Sequence, residues 1–158
     1  MQESGRKVFI ISLDGATFDV LDPLMKLGYL NNLRALRDQG TAVNLASIIP
    51  AMTPAAWTSF MTGKHPGKHG IFGFRQFDEQ EYNWKLNSSR HVRTKTIWQI
   101  LSEKGKRVIA LNVPQTYPPY EVNGIMVSGW ESASANVTYP SSFGQQILDK
   151  FPTYDAAL

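Results

Sequence analysis

The 158-residue chain is 42% hydrophobic and carries 16 basic against 13 acidic side chains, a net charge of +3, so it has the size and apolar content of one ordinary domain or of one piece of a larger one. It contains no cysteine, which excludes disulfides, thiolate metal sites and cysteine nucleophiles and leaves oxygen and imidazole as the only metal ligands. The basic residues are scattered rather than massed in a block that could track a phosphate backbone, which argues against nucleic acid as a partner.

The apolar run near the N-terminus is short and ends in Asp14, unlike the longer core of a signal peptide, and no window has the length of a membrane span. A cytoplasmic protein with no membrane partner is the expectation. Val8 to Leu13 is a continuous β-branched and apolar run that predicts a strand buried on both faces, and such strands belong to sheets covered by helices. Val20, Leu21, Leu24, Leu27, Leu30, Leu33 and Leu36 recur at near-helical spacing up to the stop at Gly40, with Pro23 and Gly28 dividing the stretch into two helical pieces. Ala42 to Ile49 predicts a second strand. Thr53-Pro54 then opens a helix through Met61 with Gly63 closing it, in the order N-cap, proline, C-terminal glycine.

Residues 64–92 are rich in glycine, aromatic and polar residues and predict an excursion with a hairpin around Phe72–Phe77 and Tyr82–Leu86. A helix over Thr94–Lys104, strands over Arg107–Val113 and Ile125–Ser128, a proline-rich loop from Pro114 to Pro119 and a last helix over Ser141–Phe151 complete the chain. The alternation predicts an α/β fold, a mostly parallel sheet with helices on both faces.

Asp14 directly follows the first predicted strand, where catalytic groups collect in open α/β sheets, although Asp14-Gly15 taken alone also reads as a turn and helix cap. Thr53 has the same double meaning. Threonine before proline suits a helix start, and that start also places a hydroxyl where free backbone N–H groups and the helix dipole favour an anion. Trp57, Trp84, Trp98 and Trp130 are assigned to packing rather than to base stacking. Lys64 and Lys68 in TGKHPGKHG lack the spacing and the following Ser or Thr of a phosphate-binding P-loop.

Several of these segments recur together. Leu13-Asp14-Gly15-Ala16-Thr17, Pro50 to Ser59 (PAMTPAAWTS), Thr62-Gly63, Pro66-Gly67-Lys68-His69-Gly70-Ile71, Thr96 to Leu101 (TIWQIL), Asn112-Val113-Pro114, Thr116-Tyr117-Pro118-Pro119 and Gly124 to Gly129 resemble, in order and spacing, the type I phosphodiesterase and nucleotide pyrophosphatase family of the alkaline phosphatase superfamily. The resemblance implies hydrolysis of phosphodiester or pyrophosphate bonds in a small-molecule phosphate ester. It also implies two metal ions, usually zinc, with Asp14 and Thr53 on the same ion, and Thr53 as the nucleophile that forms a phosphothreonine intermediate. His69 matches a structural marker beside the site, and His65 and His91 match no ligand position.

Phe74 stands where many nucleotide pyrophosphatases carry an asparagine that binds the transferring phosphoryl group; Arg75 is a candidate substitute donor, although an arginine beside a hairpin is more often a solvated surface residue. The family pattern needs three histidine and three further aspartate ligands downstream of the His-Gly-Ile motif, so the expectation is an N-terminal portion of an alkaline phosphatase-like domain that is inactive by itself. The alternatives are a phosphatase, phosphomutase or phosphonate hydrolase of the same superfamily, and a non-catalytic binding domain.

Overall fold

The computed structural model describes residues 7–129 and 137–154, so Trp130 lies outside the described residues. The chain divides into two compact units, Met1–Ala46 and Ser47–Leu158.

The first unit holds helices α1 (Phe18–Lys26) and α2 (Asn31–Gln39). Thr17, not Asp14, caps α1, its side chain accepting the Asp19 N–H at 3.0 Å. The two helical pieces separate at Gly28, whose φ of +84° suits glycine, while Pro23 is absorbed inside α1. An ion pair of 2.6 Å from Arg37 to Asp22 joins the helices.

Neither predicted strand of this stretch forms. Val8 to Leu13 and Ala42 to Ile49 are irregular, and the apolar side chains at 8–11 and 13 are 52–87% exposed. β-propensity describes fit to a neighbouring pleated surface, and these runs have no ladder partner among the described residues, so their apolar character alone does not make them strands.

In the second unit α3 (Thr53–Thr62) runs to Gly63, which adopts φ +64° and donates its N–H to the Ser59 carbonyl at 2.8 Å. Thr53 is the first helical residue and Met52 the cap, because the Ala56 N–H bonds the Met52 carbonyl. A short helix α4 (Pro66–His69) leads to an antiparallel hairpin, β1 (Arg75–Asp78) with β2 (Asn83–Leu86), and a 3-10 turn at Ser89–His91. Helix α5 spans Ile97–Glu103, shorter than expected, because Thr96 and Gln99 form a reciprocal capping box that fixes its start.

Strands β3 (Val108–Val113), β4 (Gly124–Ser128) and β5 (Thr138–Tyr139) form one sheet in that order, β3 parallel to β4 and β4 antiparallel to β5, with α6 (Ser142–Lys150) packed against β5. The fold is therefore mixed α/β with small sheets, and among the described residues a single pair is parallel rather than most of them. Met61 of α3, Trp98 of α5, Val108, Ala110 and Met126 of the sheet, and Val122 form the core. The opposite face of β3, Ile109 and Leu111, is exposed rather than covered by a helix.

Gly124 holds β3 and β4 in register. It sits at φ +149°, and a Cβ there would lie 1.9 Å from the Val108 carbonyl oxygen. Gly124→Ala should therefore lower the unfolding free energy by more than about 3 kcal/mol, since neither the backbone angle nor the contact can relax without breaking the ladder. Urea denaturation followed by circular dichroism measures this, and an unchanged midpoint would contradict it.

Candidate active site

Thr53 begins α3 half-buried, followed by Pro54, which has no N–H, and by Ala55. Pro54 and Ala55 are buried, and Thr58 donates its hydroxyl to the Pro54 carbonyl at 2.7 Å. The first turn is thereby pinned from within, which fixes the direction of the Thr53 backbone.

One turn before its end, α3 is tied to the following segment by a histidine. His69 is wholly buried, and its Nδ1 accepts the Ile71 N–H at 3.1 Å, so in the neutral ring Nε2 carries the hydrogen and donates to Ser59 Oγ, 2.9 Å away. Burial, and then the nearby charge of His65, push the His69 pKa below its ordinary value. The carbonyl of His69 accepts the Arg93 N–H at 3.0 Å. The His69 side chain thus ties α3 to the loop at Ile71, and the backbone carbonyl of the same residue holds the segment at Arg93.

The hairpin root also adjoins the start of α3. Gly73 lies beside the Met52 thioether, where a Cβ would meet its sulfur in ordinary van der Waals contact at 3.6 Å. Buried Asn87 donates its side-chain N–H to the Gly73 carbonyl at 2.6 Å and its backbone N–H to the Phe74 carbonyl at 2.8 Å. The structural role of Asn87 has no sequence signal, because an isolated asparagine has no periodicity to mark it. Ser59 stood within a quoted motif, and its pairing with His69 could have been anticipated only from the need of a buried imidazole for partners at both nitrogens.

Arg75 is exposed on β1 opposite Leu86, immediately past that root. Asp14 lies exposed in a turn with Gly15 at φ +68°, in the first unit, whereas Thr53, His69 and Arg75 belong to the second. His65 is exposed, and His91 is half-buried with its Nδ1 accepting the Ser88 N–H at 3.0 Å.

The family model described as Type I phosphodiesterase / nucleotide pyrophosphatase matches residues 8–157. The chain belongs to that family. Neither the curated proteins nor the solved structures hold a match to it. Type I phosphodiesterases and nucleotide pyrophosphatases are hydrolases of phosphate esters that typically use metal ions, and the family implies an alkaline phosphatase-like fold. The described residues do not by themselves fit a metal pair: they contain no group of three or more His, Asp or Glu placed to hold an ion. No described helix is long and apolar enough to cross a membrane.

The histidines give the family member a pH dependence. Burial, followed by the charge of Arg90, lowers the pKa of His91 as well, so both rings bind protons less readily in the folded chain than in the unfolded one. Stability should be complete above 6.5, the ordinary histidine value, and should fall as pH drops from there through the depressed folded values. The slope is limited to about 1.4 kcal/mol per pH unit for each histidine. Urea midpoints at neutral and mildly acidic pH measure it, with His69→Gln expected to flatten the dependence. A midpoint that rises on acidification across this window would refute it.

Proposed function

We propose that this chain contributes the nucleophile of a metal-dependent hydrolase of phosphodiester or pyrophosphate bonds, with Thr53 as the attacking hydroxyl, Asp14 as a metal ligand and a small-molecule phosphate ester as substrate. The observation that carries the reading is the position of Thr53 as the first residue of α3 within a family match that spans both motifs. A hydroxyl there faces phosphorus while the helix-start N–H groups and the dipole favour the negative charge of the phosphoryl oxygens. Arg75, just past the hairpin root, serves as a donor to the phosphoryl group in place of the asparagine that Phe74 replaces. The two-zinc requirement and a cytoplasmic location belong to the same reading.

Two measurements test it. Calorimetric titration of the 158-residue chain with zinc should show no stoichiometric micromolar site, because two matched ligands do not hold zinc tightly. In the complete, metal-loaded hydrolase Thr53→Ala should reduce turnover of bis(4-nitrophenyl) phosphate at least about a thousandfold, and Asp14→Asn should weaken metal affinity and turnover together. Ordinary turnover by the Thr53→Ala protein would move the nucleophile elsewhere.

A further inference from the structure

The loop that leaves β3 is built under strain and buries a polar side chain. The register of β3 against β4 slips between Leu111 and Val113, where Asn112 takes φ +53°, and Gln115 beyond the strand takes φ +65°. Residues other than glycine persist in the left-handed region only where their surroundings hold them there. Thr116 supplies that hold. Its hydroxyl donates to the Val113 carbonyl at 2.6 Å and accepts the Gly129 N–H at 3.2 Å, and its carbonyl accepts the Ser128 hydroxyl at 3.0 Å. Gln115 itself is 1% exposed, and neither atom of its amide, Oε1 or Nε2, has a hydrogen-bond partner.

A second buried amide stands across a backbone hydrogen bond from this loop. The Ser89 N–H donates to the Tyr117 carbonyl at 2.8 Å and the Ser89 hydroxyl to the Pro118 carbonyl at 2.5 Å, so the segment holding Asn87 is tied to the loop holding Gln115. Asn87 and Gln115 are each two residues from the Ser89–Tyr117 bond, a reach of at most about 7 Å of chain on either side. Asn87 is 4% exposed, and its Nδ2 is committed to the Gly73 carbonyl beside Met52, which identifies Oδ1 as the remaining atom; Oδ1 has no partner. Buried polar atoms without partners are rare, because each forfeits the hydrogen bonds it made to water. Here three of them flank a strained loop beyond the carboxyl ends of the parallel pair β3 and β4, where α/β sheets take their ligands. Through Gly73 they also connect to Met52, the residue before Thr53. That combination marks a ligand subsite.

The chemistry of the three atoms selects the ligand. Asn87 Oδ1 and Gln115 Oε1 only accept hydrogen bonds, and Gln115 Nε2 only donates them. A phosphoryl oxygen could meet Nε2 alone and would face two carbonyl oxygens. A cation would satisfy the oxygens and leave Nε2 unmet. Neighbouring hydroxyls both donate and accept, so they can satisfy all three. We propose that Gln115, with Asn87, binds the alcohol part of the substrate, a polyol or sugar moiety whose free hydroxyls adjoin the esterified one. This inference rests on the hydrolase reading above and names the half of the phosphate ester that the reading leaves open. It also accounts for a glutamine kept at a position that costs stability, since a residue serving ligand rather than fold is released from the need for a partner in the protein.

The test compares glycerol 3-phosphate with propyl phosphate, which carry the same charge and differ only in two hydroxyls. Each is titrated into the isotope-labelled full chain while the side-chain amide resonances are followed by nuclear magnetic resonance. Glycerol 3-phosphate should shift the Gln115 Nε2 resonances and bind at least about tenfold more tightly than propyl phosphate, the worth of one or two neutral hydrogen bonds. Gln115→Met, of similar length and without the amide, should abolish that preference. The same variant should leave the urea midpoint unchanged or raised, because it removes an unpartnered amide and breaks no bond within the protein. Equal affinity for the two esters, binding of neither, or a lowered midpoint in Gln115→Met overturns the proposal, the last by showing that the amide serves the fold. None of these readouts involves turnover. The hydrolase reading fails on Thr53→Ala in the complete enzyme and this inference on the hydroxyl preference, so the two failures are distinguishable.

Discussion

The imidazole of His69 is the joint on which the second unit's candidate site depends. It is buried without a charged partner, so its ring must be satisfied by neutral groups at both nitrogens, and the two groups it finds lie on different segments: Ser59 of α3 and the backbone of Ile71. That requirement fixes the path of the chain after α3. It brings Gly73 against Met52 and so sets the hairpin root beside the residue that precedes Thr53. A charged His69 would lose the Ile71 bond, because both ring nitrogens would then be donors facing an N–H donor.

What the sequence revealed and what it hid divide along a physical line. Features decided within one turn of chain were readable: the stop at Gly63, the hairpin between Arg75 and Leu86, and α6. Local hydrogen bonds decide these, and the residues that make them are adjacent in sequence. The position of Thr53 was readable for the same reason, to within one residue. Features that need a distant partner were not. Val8 to Leu13 has the composition of a central strand yet remains irregular, and Ala42 to Ile49 behaves likewise.

The candidate site shows the same division. The motifs gave Asp14 and Thr53 as the residues of interest, with His69 as a marker beside them, and all three fall inside the family match over residues 8–157, which assigns none of them a role. The supporting contacts, from His69 to Ser59 and from Asn87 to Gly73, join residues ten and fourteen positions apart through side chains with no periodic signature. An open groove of about 430 Å³ in the first unit, bordered by Asp19, Asp22 and Arg37, is lined by neither Asp14 nor Thr53, and the Arg37–Asp22 ion pair spans part of its wall.

The exposed run Val8-Phe9-Ile10-Ile11-Ser12-Leu13 has a material consequence for handling the protein. It combines β-branched and apolar residues with no charge and no proline, the composition of a segment that nucleates cross-β stacking between chains. Lys7 and Asp14 bracket it and act as charge gatekeepers against that stacking. Asp14 therefore bears on colloidal behaviour whatever its part in the proposed hydrolase, and removing its charge should shorten the time before the chain aggregates. Asp14→Glu keeps the guard while moving the carboxylate outward by one methylene, which separates solubility from chemistry at a single position.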